Sequence, residues 1–143
     1  MKIGGIDAVE AVNVGKKVLL EMLSDLISEL RPTMSLEELQ VVYTKNLDKI
    51  ILQEEQTNST KFVGGEFCLN YIDEDHYDCA YKLFFMDKSK KIFEISTKSK
   101  PFDSSYLNST TRDELKSEKT IKFEISEPSR EARDKFNREK FES

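Results

Sequence analysis

What is scarce in this chain narrows its chemistry. There is a single histidine, His76, among 143 residues. It lies in the polar stretch YIDEDHYD (71–78), which reads as a turn. Nucleophilic catalysis needs a base beside a nucleophile, and acid–base catalysis needs facing groups in a pocket. A lone histidine on a turn offers neither, so no catalytic residue is assigned and no enzyme is expected. His76 and its neighbouring carboxylates also lack the spaced second ligand set of a zinc site, and they do not fit the EF-hand spacing. No metal and no cofactor is expected.

Cysteine is nearly as rare, with Cys68 and Cys79 alone. Strand alternation puts them on opposite faces of one hairpin, and Cβ atoms that point apart cannot be bridged. Two free thiols are expected, Cys79 in the core and Cys68 on the outer face. Neither has a cationic sequence neighbour to activate it.

No run approaches the ~20 apolar residues of a membrane span. The N-terminal MKIGGIDAVEAVNVGKK lacks the unbroken apolar core and cleavage site of a signal peptide, so a cytoplasmic protein is expected. Asn58-Ser59-Thr60 and Asn108-Ser109-Thr110 match the glycosylation pattern but read as coincidence in that setting. No internal repeat and no motif characteristic of a known family is present.

Charge is abundant: 34% of residues are charged and 38% hydrophobic, with a net charge of −5. Residues 1–60 hold 10 acids and 6 bases, residues 61–86 hold 5 and 2, and residues 87–143 hold 12 and 14. The segments therefore carry −4, −3 and +2. A negative front half argues against nucleic acid, whose affinity comes largely from phosphate neutralisation, and against an anionic membrane surface. The length suits one domain, residues 1–143, that buries about two-thirds of its unfolded surface.

The apolar pattern predicts an α+β fold. Asp7 and Glu10 make a capping-box pair before Val9, Val12, Leu19, Leu20, Leu23, Leu26, Ile27 and Leu30, which recur at helical spacing. Gly15 is a weak point after which the ordered helix is expected to begin, and the helix is expected to end at Arg31, since Pro32 disfavours helical geometry just before it. Ser35 and Glu38 form a second capping box ahead of Leu36, Leu39, Tyr43, Leu47, Ile50 and Ile51. The polar QEEQTNST (53–60) is expected to end this second helix.

The period then switches to two. Phe67, Leu69 and Tyr71 alternate with polar residues, as do Tyr77, Cys79, Tyr81, Leu83 and Phe85. Phe93 and Ile95 follow, and Ile121, Phe123 and Ile125 come later. The expected sheet has four mainly antiparallel strands, three of them a meander, with the two N-terminal helices on its apolar face. Gly64-Gly65 marks a bulge. Asp73–Asp75 forms a three-residue loop after which His76 opens the next strand. The stretch TKSKPFDSSYLNST (97–110) is a long polar loop, and loops of that length are often functional or mobile. Thr111 and Glu114 cap a short helix. Residues 127–143 read as a charged C-terminal helix with Pro128 in its first turn. Ala132, Phe136 and Phe141 are too small a stripe to attach it firmly.

Without catalytic groups, the candidate site is a partner-binding surface. Asp73, Glu74, Asp75 and Asp78 form an acidic patch suited to a cationic partner. Phe84, Met86 and Ile72 point to the outer sheet face, as an exposed apolar patch or as a seat for the C-terminal helix. Lys88, Lys90 and Lys91, joined by Lys98 and Lys100, make a basic tip at the far end of the sheet.

The leading expectation is a protein-binding inhibitor. Its most concrete form is a bacterial immunity protein that occludes the basic surface of a toxic nuclease. A dedicated chaperone for a secreted protein is the alternative. A third is a small-ligand-binding domain with a pocket lined by Tyr71, Tyr77 and Tyr81 beneath the helices. Both monomer and homodimer are compatible with the pattern.

Overall fold

The computed structural model describes residues 2–3 and 6–142, with side-chain surroundings for 15–44 and 47–139. In chain order the elements are β1 (Lys2–Ile3), β2 (Ile6–Asp7), α1 (Ala8–Glu29), α2 (Leu36–Asn58), β3 (Lys61–Asp73) and β4 (His76–Met86). There follow β5 (Ile92–Lys98), β6 (Phe102–Asp103), a 3-10 turn (Ser104–Tyr106), α3 (Ser109–Glu118), β7 (Thr120–Ile125) and α4 (Arg130–Glu142). The fold is α+β. Its main sheet runs β5-β4-β3-β7 with every pairing antiparallel, and β6 adds a fifth strand beside β4. The short β1–β2 pair precedes α1. The Asp7–Glu10 capping box, Val9, Val12 and Phe141 lie outside the described side chains.

The period-two residues turn inward as their spacing requires. Phe67, Leu69, Tyr77, Cys79, Tyr81, Leu83, Phe85 and Ile95 form one buried cluster with Leu19, Leu23, Leu26, Leu30, Leu39, Tyr43, Leu47 and Ile51 of the two helices. Tyr43 stacks on Phe67 at 4.3 Å between ring centroids, so α2 lies over the centre of the sheet. Leu20 falls off this face and is exposed. Helix α1 runs unbroken through Gly15, contrary to expectation, because tertiary packing outweighs the helix propensity that glycine lacks. A Cβ at Gly15 would stand 3.2 Å from two carbons of Ile95, so glycine lets α1 approach β5 closely.

Ser35 caps α2 as predicted, its Oγ accepting the Glu38 N–H at 3.1 Å. The helix does not stop at Gln53 but continues to Asn58, ending on left-handed Ser59 at φ 52. Two contacts support this last turn: Asn58 Nδ2 donates to Glu54 at 2.7 Å, and Glu55 accepts the Phe62 N–H at 2.9 Å. Glu55 also takes Arg133 of α4 at 2.9 Å. That ion pair, with half-buried Ala132 and Phe136, marks where α4 packs on α2. Ser129 caps α4 and Pro128 stands just before it rather than in its first turn.

Helix α3 begins three residues earlier than expected. Its cap is Asn108, whose Oδ1 accepts the Thr111 N–H at 2.8 Å while its Nδ2 donates to the Met34 carbonyl. One amide thus serves two ends, and Thr111 is left buried inside the helix. The bulge in β3 is present. Phe62 faces Phe85 and Gly64 faces Phe84, so Val63 is the extra residue, and Gly64 takes φ 147, a conformation side chains rarely adopt.

Candidate functional site

The β3–β4 hairpin tip is tighter than a three-residue loop. Tyr71 faces Tyr77 and Asp73 faces His76, with a register shift between them that leaves Ile72 bulged. Only Glu74 and Asp75 form the turn. The odd number of residues between facing tyrosines is preserved by the bulge.

Asp73 organises this turn. Its Oδ1 accepts the Asp75 N–H at 2.9 Å and lies 2.9 Å from His76 Nδ1. The Asp75 N–H first, and then the His76 contact, hold the Asp73 carboxyl below its ordinary value. The hydrogen bond to Asp73 raises His76, with the charges of Asp73, Asp75 and Asp103 adding to it. Glu74 reaches Lys116 of α3 at 3.6 Å, and the Asp75 carbonyl accepts the Ser104 N–H at 2.9 Å.

Between this tip and α3 lies an open cleft of about 400 Å³. Tyr71, Tyr77, Arg112 and Lys116 line it together with Glu74, Asp75 and Asp113. It holds charges of both signs. No periodicity announces it, because its walls come from segments some forty residues apart in the chain. The three tyrosines expected to share a pocket beneath the helices are divided: Tyr81 is buried in the aromatic core, whereas Tyr71 and Tyr77 line this cleft.

Asp78 does not belong to the acidic patch. It is 2% exposed. Its Oδ1 accepts from Asn70 Nδ2 at 2.8 Å, and Asn70 Oδ1 accepts from the Thr120 hydroxyl at 3.0 Å. Lys98 Nζ lies 3.3 Å from the other Asp78 oxygen. Thr120, Asn70, Asp78 and Lys98 thus form one polar row across β7, β3, β4 and β5. Only Asp73, Glu74 and Asp75 remain as the exposed acidic tip.

The apolar candidates also separate. Phe84 and Met86 are half-buried on the outer face, and exposed Val63 and Ile92 adjoin them through the pairings Gly64–Phe84 and Met86–Ile92. Ile72 stands at the opposite end, roughly 25 Å away at a strand rise of about 3.4 Å per residue, and is no part of that patch. Lys98 likewise leaves the basic tip. It faces Ala80 and pairs with Asp78, and Lys100 follows it in the same direction. The tip keeps Lys88, Lys90 and Lys91 around Asp87, which accepts the N–H groups of Ser89 and Lys91.

Residues 97–110 are not a free loop. Ser99 Oγ accepts the Cys79 N–H at 3.0 Å and donates to the Lys100 carbonyl at 3.0 Å. β6 then resumes pairing with β4, and Leu107 is buried. Both cysteines are free. Burial pushes the Cys79 thiol up to about 12, the Ser99 contact opposing. Cys68 is on the outer face yet buried, and its thiol is raised first by desolvation and then by Glu66. Neither is a thiolate at neutral pH. Among the described residues no cluster of three His, Cys, Asp or Glu side chains is arranged for a metal ion, and no helix is long and apolar enough to cross a membrane.

No protein-family model, no curated protein and no solved structure matches this chain.

Proposed function

We propose that the protein acts by binding another protein through the outer face of its sheet. In its most concrete form it is a stoichiometric inhibitor, an immunity protein whose partner presents a basic, nuclease-like surface. The observation that supports this reading is the layering. Core residues of α1, α2 and α3 lie on the inner face, and α4 packs on α2. Among the described residues, these helices leave the outer face to its own side chains. It carries an apolar patch (Val63, Phe84, Met86, Ile92) at one end and the acidic turn at the other.

The two ends have different roles in this reading. Exposed charges act on association rate, whereas desolvated apolar anchors act on dissociation. The experiment is affinity capture from cells that make the protein, followed by kinetics with the captured partner. Glu74→Lys with Asp75→Lys reverses the tip and leaves Asp73, which holds the turn. It slows association several-fold at low salt. Phe84→Asp speeds dissociation at least tenfold. Unchanged kinetics in both variants would refute the reading. The chaperone reading uses the same apolar patch for an unfolded client segment, and loss of the captured partner's own activity at a 1:1 ratio separates the inhibitor from it.

A further inference from the structure

The sheet ends at β7 with an open edge. β7 pairs with β3 and, among the described residues, with no other strand. Just before it, the Tyr71 N–H donates to the Lys119 carbonyl at 2.8 Å. Antiparallel hydrogen bonding alternates along a strand. Ile121, Phe123 and Ile125 therefore turn their main-chain groups to β3, while Lys122 and Glu124 turn theirs outward. Such a row of unpaired N–H and C=O groups is a template for another strand.

The side chains select which strand fits. On the inner face Tyr81, Phe67 and Phe123 form one cross-strand row, with ring centroids 5.1 and 6.2 Å apart. The row stops at Phe123, which is half-buried although it faces the core, as is Ile121. At the other edge the inward Ile95 of β5 is 2% exposed, closed over by α1. On the outer face Glu124 lies directly opposite Glu66, a like-charge pair, and the lysine of that row, Lys82, is 3.9 Å from Glu66 on its far side. Lys122 faces Cys68. Neither Lys122 nor Glu124 has an ion-pair partner among the described residues.

We propose that β7 pairs antiparallel with β7 of a second copy of this chain, about a twofold axis at Phe123. Lys122 then faces Glu124 of the second copy, and Glu124 faces its Lys122. Phe123 meets Phe123 in a non-hydrogen-bonded pair, where Cα atoms stand only about 4.5 Å apart, and the aromatic row continues across the seam. Shifting the register by two residues either way sets Lys122 on Lys122 or Glu124 on Glu124. Odd shifts set outward main-chain groups against inward ones. One register satisfies both charge and hydrogen bonding. This pairing is independent of any other partner.

The test is sedimentation equilibrium. Wild type runs at twice 16.6 kDa at micromolar concentration. Lys122→Glu alone and Glu124→Lys alone each set like charges across the seam twice, weaken the dimer at least tenfold and run as monomers. An equimolar mixture of the two variants returns to dimer mass, because every facing pair is then opposite in sign. A wild type that stays monomeric, single variants that stay dimeric, or a mixture that fails to associate would each overturn the proposal. Recovery in the mixture also shows that both variants are folded.

Discussion

Asp78→Ala tests whether the buried carboxylate belongs to the sheet or to a partner surface. The substitution removes the acceptor for Asn70 Nδ2 and the counter-charge of Lys98. Lys98 is 67% exposed, so that pair contributes at most a few tenths of a kcal/mol. The amide matters more. Asn70 is half-buried, and an orphaned donor there costs about 1–2 kcal/mol. The expected loss is about 1.5 kcal/mol, which lowers Tm by roughly 3–6 °C for a domain of this size. Asp78→Asn keeps an acceptor facing Asn70 and loses only the Lys98 pair, so its cost stays below about 0.5 kcal/mol. Urea denaturation of the three proteins at pH 7, with linear extrapolation, gives both differences. Equal stability of Asp78→Ala and wild type would show that the row across the four strands carries no stability. Equal losses in the two variants would place the weight on the ion pair instead.

Three further outcomes follow from buried groups. Gly65→Ala sets a Cβ 2.6 Å from the Lys82 carbonyl, inside the β3–β4 ladder, and costs about 2–3 kcal/mol by urea denaturation; a loss under 0.5 kcal/mol would contradict that close approach. Tyr43→Phe leaves stability unchanged or raises it, because the buried Tyr43 hydroxyl has no hydrogen-bond partner among the described residues; a loss above about 1 kcal/mol would reveal one. Alkaline pH destabilises the protein. Burial raises Cys79 from 9.0 and Tyr43 from 10.0, each to about 12, so the folded state keeps protons that the unfolded chain releases. Stability from these groups is full below pH 9 and falls between pH 9 and 12, and a flat urea midpoint across that range would refute the assignment.

The layers of the fold were legible because burial and period coincide. Leu19, Leu23 and Leu26 on one side, and Phe67, Leu69 and Tyr81 on the other, announce the two surfaces that meet. The Cys68–Cys79 opposition followed from the same alternation, and the bulge from the Gly64-Gly65 pair. Local pattern failed where a side chain is fixed by something distant in the chain. Asp78 reads as one more acid in an acidic turn, and only the register with Asn70 and Lys98 reveals it as a buried cross-strand acceptor. Asn108 reads as loop until the Met34 carbonyl supplies an acceptor for its side-chain N–H while its Oδ1 caps α3. Glu55 reads as the start of a polar tail, and Arg133 and the Phe62 N–H make it a fixed point. Ser99 closes what looked like free loop because the Cys79 N–H stands opposite it. The acidic tip was visible in composition, but the division of labour within it was not. Asp73 accepts bonds inside the turn, whereas Glu74 and Asp75 present their charge outward.

The twofold at Phe123 also constrains how partners are met. β7 is antiparallel to its copy, so β3 and β4 of the two chains also run in opposite directions. Each acidic tip then lies at the end of the joined sheet that carries the Lys88–Lys91 turn of the other copy. The two Phe84–Met86 patches fall at opposite ends as well, separated by the full width of the seam. One partner per chain can dock without meeting the other. Titration calorimetry is expected to give one partner per protomer with a single affinity. The dimer-breaking Lys122→Glu leaves that affinity unchanged, because the seam lies outside both patches. A stoichiometry of one partner per dimer would mean that the binding surface crosses the seam at Lys122 and Glu124, and the docking site would then have to be centred there rather than on Phe84.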